Sequence, residues 1–286
     1  MQNIISRRVA HPVPPRLANV PTYLLLSVYS LFVLTLVAWV VLASFSPTRD
    51  IFTGNLMAFN LTLKNYRDIL GIDGGLWNIA NTLGYVVPSC ILTILVSAPA
   101  AYALARFPGN GNRAVETLLV LCMGIPTIII TLSIFQTVTR LGIAESRLVL
   151  IVLYTATHVP FNVYFLTSYF RTIPSSYEEA AMLEGAGPFR VFWEIMLPFV
   201  KPAIFTLTIL NFIGLWNEYL LALIFANTNE MRPIGIWLQA TINSMNTTGN
   251  WAGMFAAVVV AAAPTVVIYA VLADRLIGAR SASGLK

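Results

Sequence analysis

Few side chains in this 286-residue sequence could do chemistry, and their spacing fits no common catalytic arrangement. His11 and His158 are lone histidines, and Cys90 and Cys122 sit singly in apolar runs. Small packing residues behave this way, whereas disulfide partners and metal ligands cluster. Paired carboxylates and an H-E-x-x-H are absent. The three lysines, Lys64, Lys201 and Lys286, none of which follows a glycine, leave the chain without G-x-x-x-x-G-K-[ST], the loop that cradles nucleotide phosphates. The sequence therefore reads as a non-enzyme. Two polar groupings remain: Asn211, Trp216, Asn217 and Glu218 inside an apolar run, and the segment 171–201 around Glu178 and Glu179.

Glu218 is the one acidic residue well inside a predicted span. A charge at a bilayer centre costs roughly 2.5–3.5 kcal/mol on insertion scales. It must therefore face a polar cavity, a partner helix or a water-filled pathway, or lie near an interface. With Asn211, Trp216 and Asn217 it either lines a pathway or braces a gate.

The segment 171–201 reads RTIPSSYEEAAMLEGAGPFRVFWEIMLPFVK. Pro174 and Ser175 end the preceding span. Ser176-Tyr177-Glu178-Glu179 has the S-x-x-E form of a capping box, which starts a helix. Ala180 to Glu184 favour helix, Gly185 ends it, and Pro188 suits the first turn of the next. Phe189, Phe192, Trp193 and Met196 then share one apolar face, and Leu197-Pro198 closes the unit. Two short helices with a sharp turn are expected, the apolar face divided between a docking surface and a root packed on the rest of the chain.

These elements must be positioned in lipid. The chain is 57% hydrophobic and 10% charged, with a mean hydropathy of +0.76, against about 25% charged residues in soluble domains. Six stretches reach the roughly 20 apolar residues that span a bilayer: about 22–44, 80–105, 115–138, 148–170, 202–227 and 252–274. The first apolar run is too long for a signal peptide and lacks an A-x-A-like site. Placing the N-terminus inside puts eleven of the seventeen Lys and Arg on inner segments and six on outer ones, so both termini are expected in the cytoplasm. Residues 1–21 then form a cytoplasmic segment, 22–276 the membrane unit with its inner loop 171–201, and 277–286 a cytoplasmic tail. Trp77, Trp237 and Trp251 lie near span ends, where they either anchor at the interface or pack between helices. Pro88, Pro99, Pro126, Pro160 and Pro264 interrupt the runs. The net charge of +5 is spread singly between spans, with no basic face for nucleic acid.

Glu179-Ala180-Ala181, Gly185 and Ile195-x-Leu197-Pro198 match at every fixed position the loop E-A-A-x3-G-x9-I-x-L-P. The chain thereby resembles the permease subunits of bacterial ABC importers. The resemblance implies a type I importer permease fold in the bacterial inner membrane, with the loop seated as coupling helices in a cleft on a separate ATPase. ATP and Mg would be used by that partner, and this chain would bind no cofactor. By position, Glu179 and its neighbour Glu178 supply charge toward the partner, Ala180 and Ala181 allow close approach, and Gly185 makes the turn. Phe189, Ile195, Leu197 and Pro198 complete the coupling unit.

Further stretches resemble the maltose-type carbohydrate branch, in particular its second permease subunit: Thr62-Leu63-Lys64-Asn65-Tyr66, Asn81-Thr82-Leu83, Ala101 to Phe107, and Trp216-Asn217-Glu218-Tyr219. The implied partners are a second permease subunit, two ATPase copies and an extracytoplasmic sugar-binding protein. In that setting Trp216 could stack on a sugar face, with Asn211, Asn217 and Glu218 beside it, or the group could brace the outer gate. The same machine carrying polyamines, amino acids or phosphate is the nearest alternative. An ion-coupled secondary transporter would show inverted repeats and several intramembrane ionisable groups.

Overall fold

The computed structural model describes residues 20–54, 60–72, 74–107, 109–144, 146–226 and 228–283, with backbone alone from residue 272 onward. The expected cytoplasmic segment 1–21 lies almost wholly outside these residues, as do the side chains of the tail 277–286.

The described residues are helical. They form α1 (Val20–Phe45), α2 (Thr48–Phe52), α3 (Lys64–Arg67), α4 (Gly75–Arg106), α5 (Asn112–Gly124), α6 (Thr127–Arg140), α7 (Arg147–Arg171), α8 (Ser176–Leu183), α9 (Pro188–Arg190), α10 (Leu197–Trp216), α11 (Leu220–Phe225), α12 (Ile234–Thr248) and α13 (Trp251–Ser283). Wider π-helical turns follow α3 (Asp68–Ile72) and join α9 to α10 (Val191–Met196). Among the described residues, five helical runs are long and apolar enough to cross a membrane: α1, α4, α7, Pro188–Trp216 and Trp251–Val271 of α13. The expected third span is instead two helices, α5 and α6, bent by 96°. The bend falls at Gly124-Ile125-Pro126, where Ile125 is extended (ψ 117), as the residue before a proline prefers. Counted as one broken span, this pair makes six.

The expected fifth span, 202–227, is also broken. Its helix begins earlier, at Pro188, and stops at Trp216; α11 starts only at Leu220. Leu197-Pro198 does not close the preceding unit, because the helix runs straight through it. Pro198 has no N–H for a carbonyl one turn back, and the π-helical turn lies immediately before it.

α4 and α7 are the central pair, packed along their length through small and hydroxyl residues that bring the backbones close. Ser89 donates to Tyr85 O of its own helix and to Ile151 O of α7. Three buried clusters lie along this axis. Ala98, Ala101, Leu166, Phe170, Met196 and Val200 form one at the C-terminal end of α4. Tyr85, Val86, Leu150, Tyr154 and Phe225 form the middle one. Ile69, Trp216, Ile234, Trp237, Ala256 and Ala257 form the third, at the N-terminal end of α4. Gly75 permits the last: a Cβ there would lie 2.7 Å from Ile69 O and 3.0 Å from the Trp237 ring. α1 packs along α13, with Trp39 against Phe255 at 5.2 Å, and otherwise presents an apolar surface.

Candidate functional site

The residues singled out by sequence fall into two groups, one at the C-terminal end of α4 and one beside its middle and N-terminal half. At its C-terminal end α8 and α9 form an elbow. α8 closes in a Schellman arrangement: Gly185 N–H donates to Met182 O and Ala186 N–H to Ala181 O, both at 3.0 Å. Gly185 has φ +85, the left-handed conformation this turn requires, with no atom within 4 Å of where a Cβ would stand. The capping box is not formed as expected. The helix cap is Ser175, one residue earlier, and its hydroxyl donates to Glu179 Oε1 at 2.8 Å.

The two adjacent glutamates separate. Glu178 turns inward to 6% exposure, where its carboxylate pairs with Arg106 Nε and accepts from Tyr102 Oη at 3.3 Å. Arg106 also donates to Ile173 O at 2.7 Å, so one guanidinium ties the end of α4 to both ends of the α7–α8 turn. Glu178 is therefore not on the outer surface of the elbow in this conformation. Glu179 and Ala180 are exposed on that surface, whereas Ala181 is buried.

The apolar face divides in a definite way. Phe192 and Met196 are buried with Val191 against α4 and α7, and Phe192 meets the Tyr102 ring at 5.1 Å. Phe189 is 82% exposed and Leu183 90%. Trp193 is half exposed against Phe192. Ile195 and Leu197 are partly buried, and Pro198 is exposed. The elbow thus has a packed root, with Leu183, Phe189 and Glu179 exposed.

The second grouping does not assemble into one lining. Asn211 is buried in a reciprocal amide pair with Asn162 of α7, with hydrogen bonds of 3.0 and 2.9 Å. Trp216 is 3% exposed, stacked on Phe212 and donating its indole N–H to Ala261 O of α13 at 2.9 Å. Its faces are covered by protein, which leaves no open face for the stacking on a sugar that was one of the two alternatives. Asn217 is exposed and bonds back to Ile213 O. Glu218 caps the restarted helix: Oε1 accepts from Leu221 N–H at 2.7 Å and Oε2 from Ala222 N–H at 3.2 Å. Tyr154 Oη donates to the same carboxylate at 2.8 Å. A carboxylate at a helix N-terminus meets orphan N–H groups and the positive end of the dipole.

The sequence assigns no role to Arg106, Tyr154 or Asn162, whose partners lie 72, 64 and 49 positions away. The segment 228–251, left between the expected fifth and sixth spans, is mostly occupied by α12, with Pro233 at its N-cap and a left-handed Gly249 at its end. Those two residues are a start and stop signal that was available. Trp237 on α12 packs in the core, while Trp77 is more than half exposed.

Residues 94–278, which contain the elbow and the broken helix, match the family described as binding-protein-dependent transport system inner membrane component. The diacetylchitobiose uptake system permease protein NgcG of Streptomyces coelicolor is 30% identical over 91% of this chain and 86% of its own. The trehalose transport system permease protein SugB of Mycobacterium tuberculosis is 27% identical over 87% of this chain and 91% of its own. A chain in the solved structure of a bacterial ABC transporter involved in the import of the acidic polysaccharide alginate shares the fold. It superposes with a TM-score of 0.79 at 23% identity, over 92% of this chain and 99% of that one. This chain belongs to the family of binding-protein-dependent transport system inner membrane components.

Proposed function

We propose that the chain forms half of a carbohydrate-import pathway and is driven by a separate ATPase seated on the α8–α9 elbow. The observation that carries this reading is the elbow itself: a packed root, with Leu183, Phe189 and Glu179 exposed. Exposed apolar side chains together with the Glu179 carboxylate suit a cleft with apolar walls and a basic side chain. The elbow end is then cytoplasmic, as are both termini, and α12 lies on the outer side. Two ATPase copies closing on ATP draw the elbows of this chain and a second permease subunit together. The movement enters the membrane through the buried root and opens the pathway outward to sugar delivered by a binding protein. Relatives carrying diacetylchitobiose and trehalose support the carbohydrate assignment.

Co-expression with the genomic neighbours tests the docking role. The wild type is expected to co-purify with an ATPase and a second permease. Glu179→Arg combined with Gly185→Trp is expected to retain the permease and lose the ATPase. Equal ATPase recovery with both forms would remove the elbow from the coupling role.

A further inference from the structure

At the end of the bundle remote from the elbow, a cavity of about 680 Å³ opens between the first turn of α4 and α12. Its volume lies within the range of roughly 300–1,000 Å³ common to ligand sites. Trp77, Arg232, Thr241 and Ser244 give it accessible aromatic and polar surface, above the buried Asn78 and Trp237. The segment that carries Arg232 is held firmly by α4. Asn81 Nδ2 donates to Glu230 O at 2.8 Å and Arg232 O at 3.0 Å, Tyr85 Oη donates to Met231 O at 2.9 Å, and Ile234 N–H donates to Thr82 Oγ1 at 2.8 Å. Trp77 Nε1 and Arg147 also donate to Glu230 O.

Arg232 is half-buried in this wall, yet its guanidinium has no hydrogen-bond or ion-pair partner among the described residues. No acidic residue is among the described lining residues. A partly buried cation without a counter-group is unfavourable unless something else meets it. Here the backbone is fixed in advance and the side chain is unpaired among the described residues, which is how a binding group is preorganised.

We propose that this cavity is a saccharide subsite on the outer face of the permease. The exposed face of Trp77 accepts the C–H face of a pyranose, while the Thr241 and Ser244 hydroxyls exchange hydrogen bonds with its hydroxyls. The guanidinium takes two oxygens of the ligand, from neighbouring hydroxyls or from a uronate carboxylate. An inserted protein segment would favour an apolar socket, and the polar lining around the Trp77 indole fits a hydroxylated ligand better. The proposal rests on the carbohydrate reading above.

The test uses the intact transporter complex in lipid nanodiscs without its binding protein, with saturation-transfer NMR against diacetylchitobiose, maltotriose and a mannuronate trimer. Uptake of the same probes into vesicles containing the complete system runs in parallel. A probe that is taken up is expected to bind the wild-type complex, and Arg232→Met and Ser244→Trp are each expected to weaken that binding about tenfold or more. Both variants should still purify with their partner subunits. If a probe is taken up but both variants bind it like the wild type, the subsite is refuted and the carbohydrate reading stands. If the variants keep sugar binding but lose stimulation by the binding protein, the cavity seats a protein segment and the subsite is again refuted. If neither these probes nor a wider saccharide panel is taken up, the carbohydrate reading fails and the subsite with it.

Discussion

Glu178 on the elbow and Arg106 at the end of α4 form a buried ion pair between residues 72 positions apart, while the neighbouring Glu179 faces outward. The pair converts a surface elbow into an extension of α4. Removing one member leaves the other charge buried and costs about 3–5 kcal/mol. Arg106→Met and Glu178→Leu are each expected to lower the melting temperature of the purified complex and to raise ATP hydrolysed per sugar moved. The double change Arg106→Met with Glu178→Leu should recover part of the stability, because no charge is stranded. A double variant as unstable as the sum of the singles would contradict a pairwise tie.

Gly185 offers a way to separate backbone strain from docking. Its φ of +85 disfavours any side chain, but the space around it is open within this chain. Gly185→Asn, which tolerates this conformation, should cost little, whereas Gly185→Val should cost about 1–2 kcal/mol locally. Neither should clash until a partner is present. ATPase binding by titration is expected to fall in the order Gly, Asn, Val; a loss with Asn as large as with Val would place steric contact ahead of backbone geometry.

The turn at Gly185 and the two-helix elbow could be read from sequence because Ser, Gly and Pro act locally. The opposite fates of Glu178 and Glu179 could not. Adjacent helical residues differ by about 100° in direction, and which one points inward is decided by Arg106 and Tyr102 on a distant helix. The same limit applies to Trp216, whose surroundings on α13 and α12 hide an indole that the sequence offers to solvent or solute equally. Pro126 marked an interruption of the third span, but the 96° turn depends on how α5 and α6 pack.

Trp216 buried against Phe212 and Ala261 predicts a stability role. Trp216→Phe keeps most of the packing and loses one hydrogen bond, for about 1 kcal/mol; Trp216→Ala should cost about 3–5 kcal/mol. The KM for sugar uptake by the folded Trp216→Phe complex is expected to match the wild type. A several-fold rise in KM without loss of thermal stability would restore direct substrate contact.

Asn162 and Asn211 exchange two hydrogen bonds between α7 and α10, each satisfying the other. Asn162→Leu or Asn211→Leu strands one amide and should cost about 1–2 kcal/mol of helix association. Replacing both should cost less than the sum, which a double-mutant cycle on thermal unfolding would measure. Additive losses would show that the amides act independently.

Glu218 caps α11 and receives the Tyr154 hydroxyl, so it holds the break after Trp216 in place. Glu218→Gln keeps one acceptor oxygen but turns an amide nitrogen toward a donor, at a cost of about 1–3 kcal/mol. Tyr154→Phe removes a single hydrogen bond to a charged group and should cost about 1.5–3 kcal/mol. Because both contacts converge on one carboxylate, Tyr154→Phe should add little once Glu218→Gln is present. Uptake assays should show a lower maximal rate for Glu218→Gln with an unchanged KM, as expected when a gate is loosened and the solute site is untouched. A selective change in KM, or a switch in which sugar is preferred, would instead place this carboxylate on the solute.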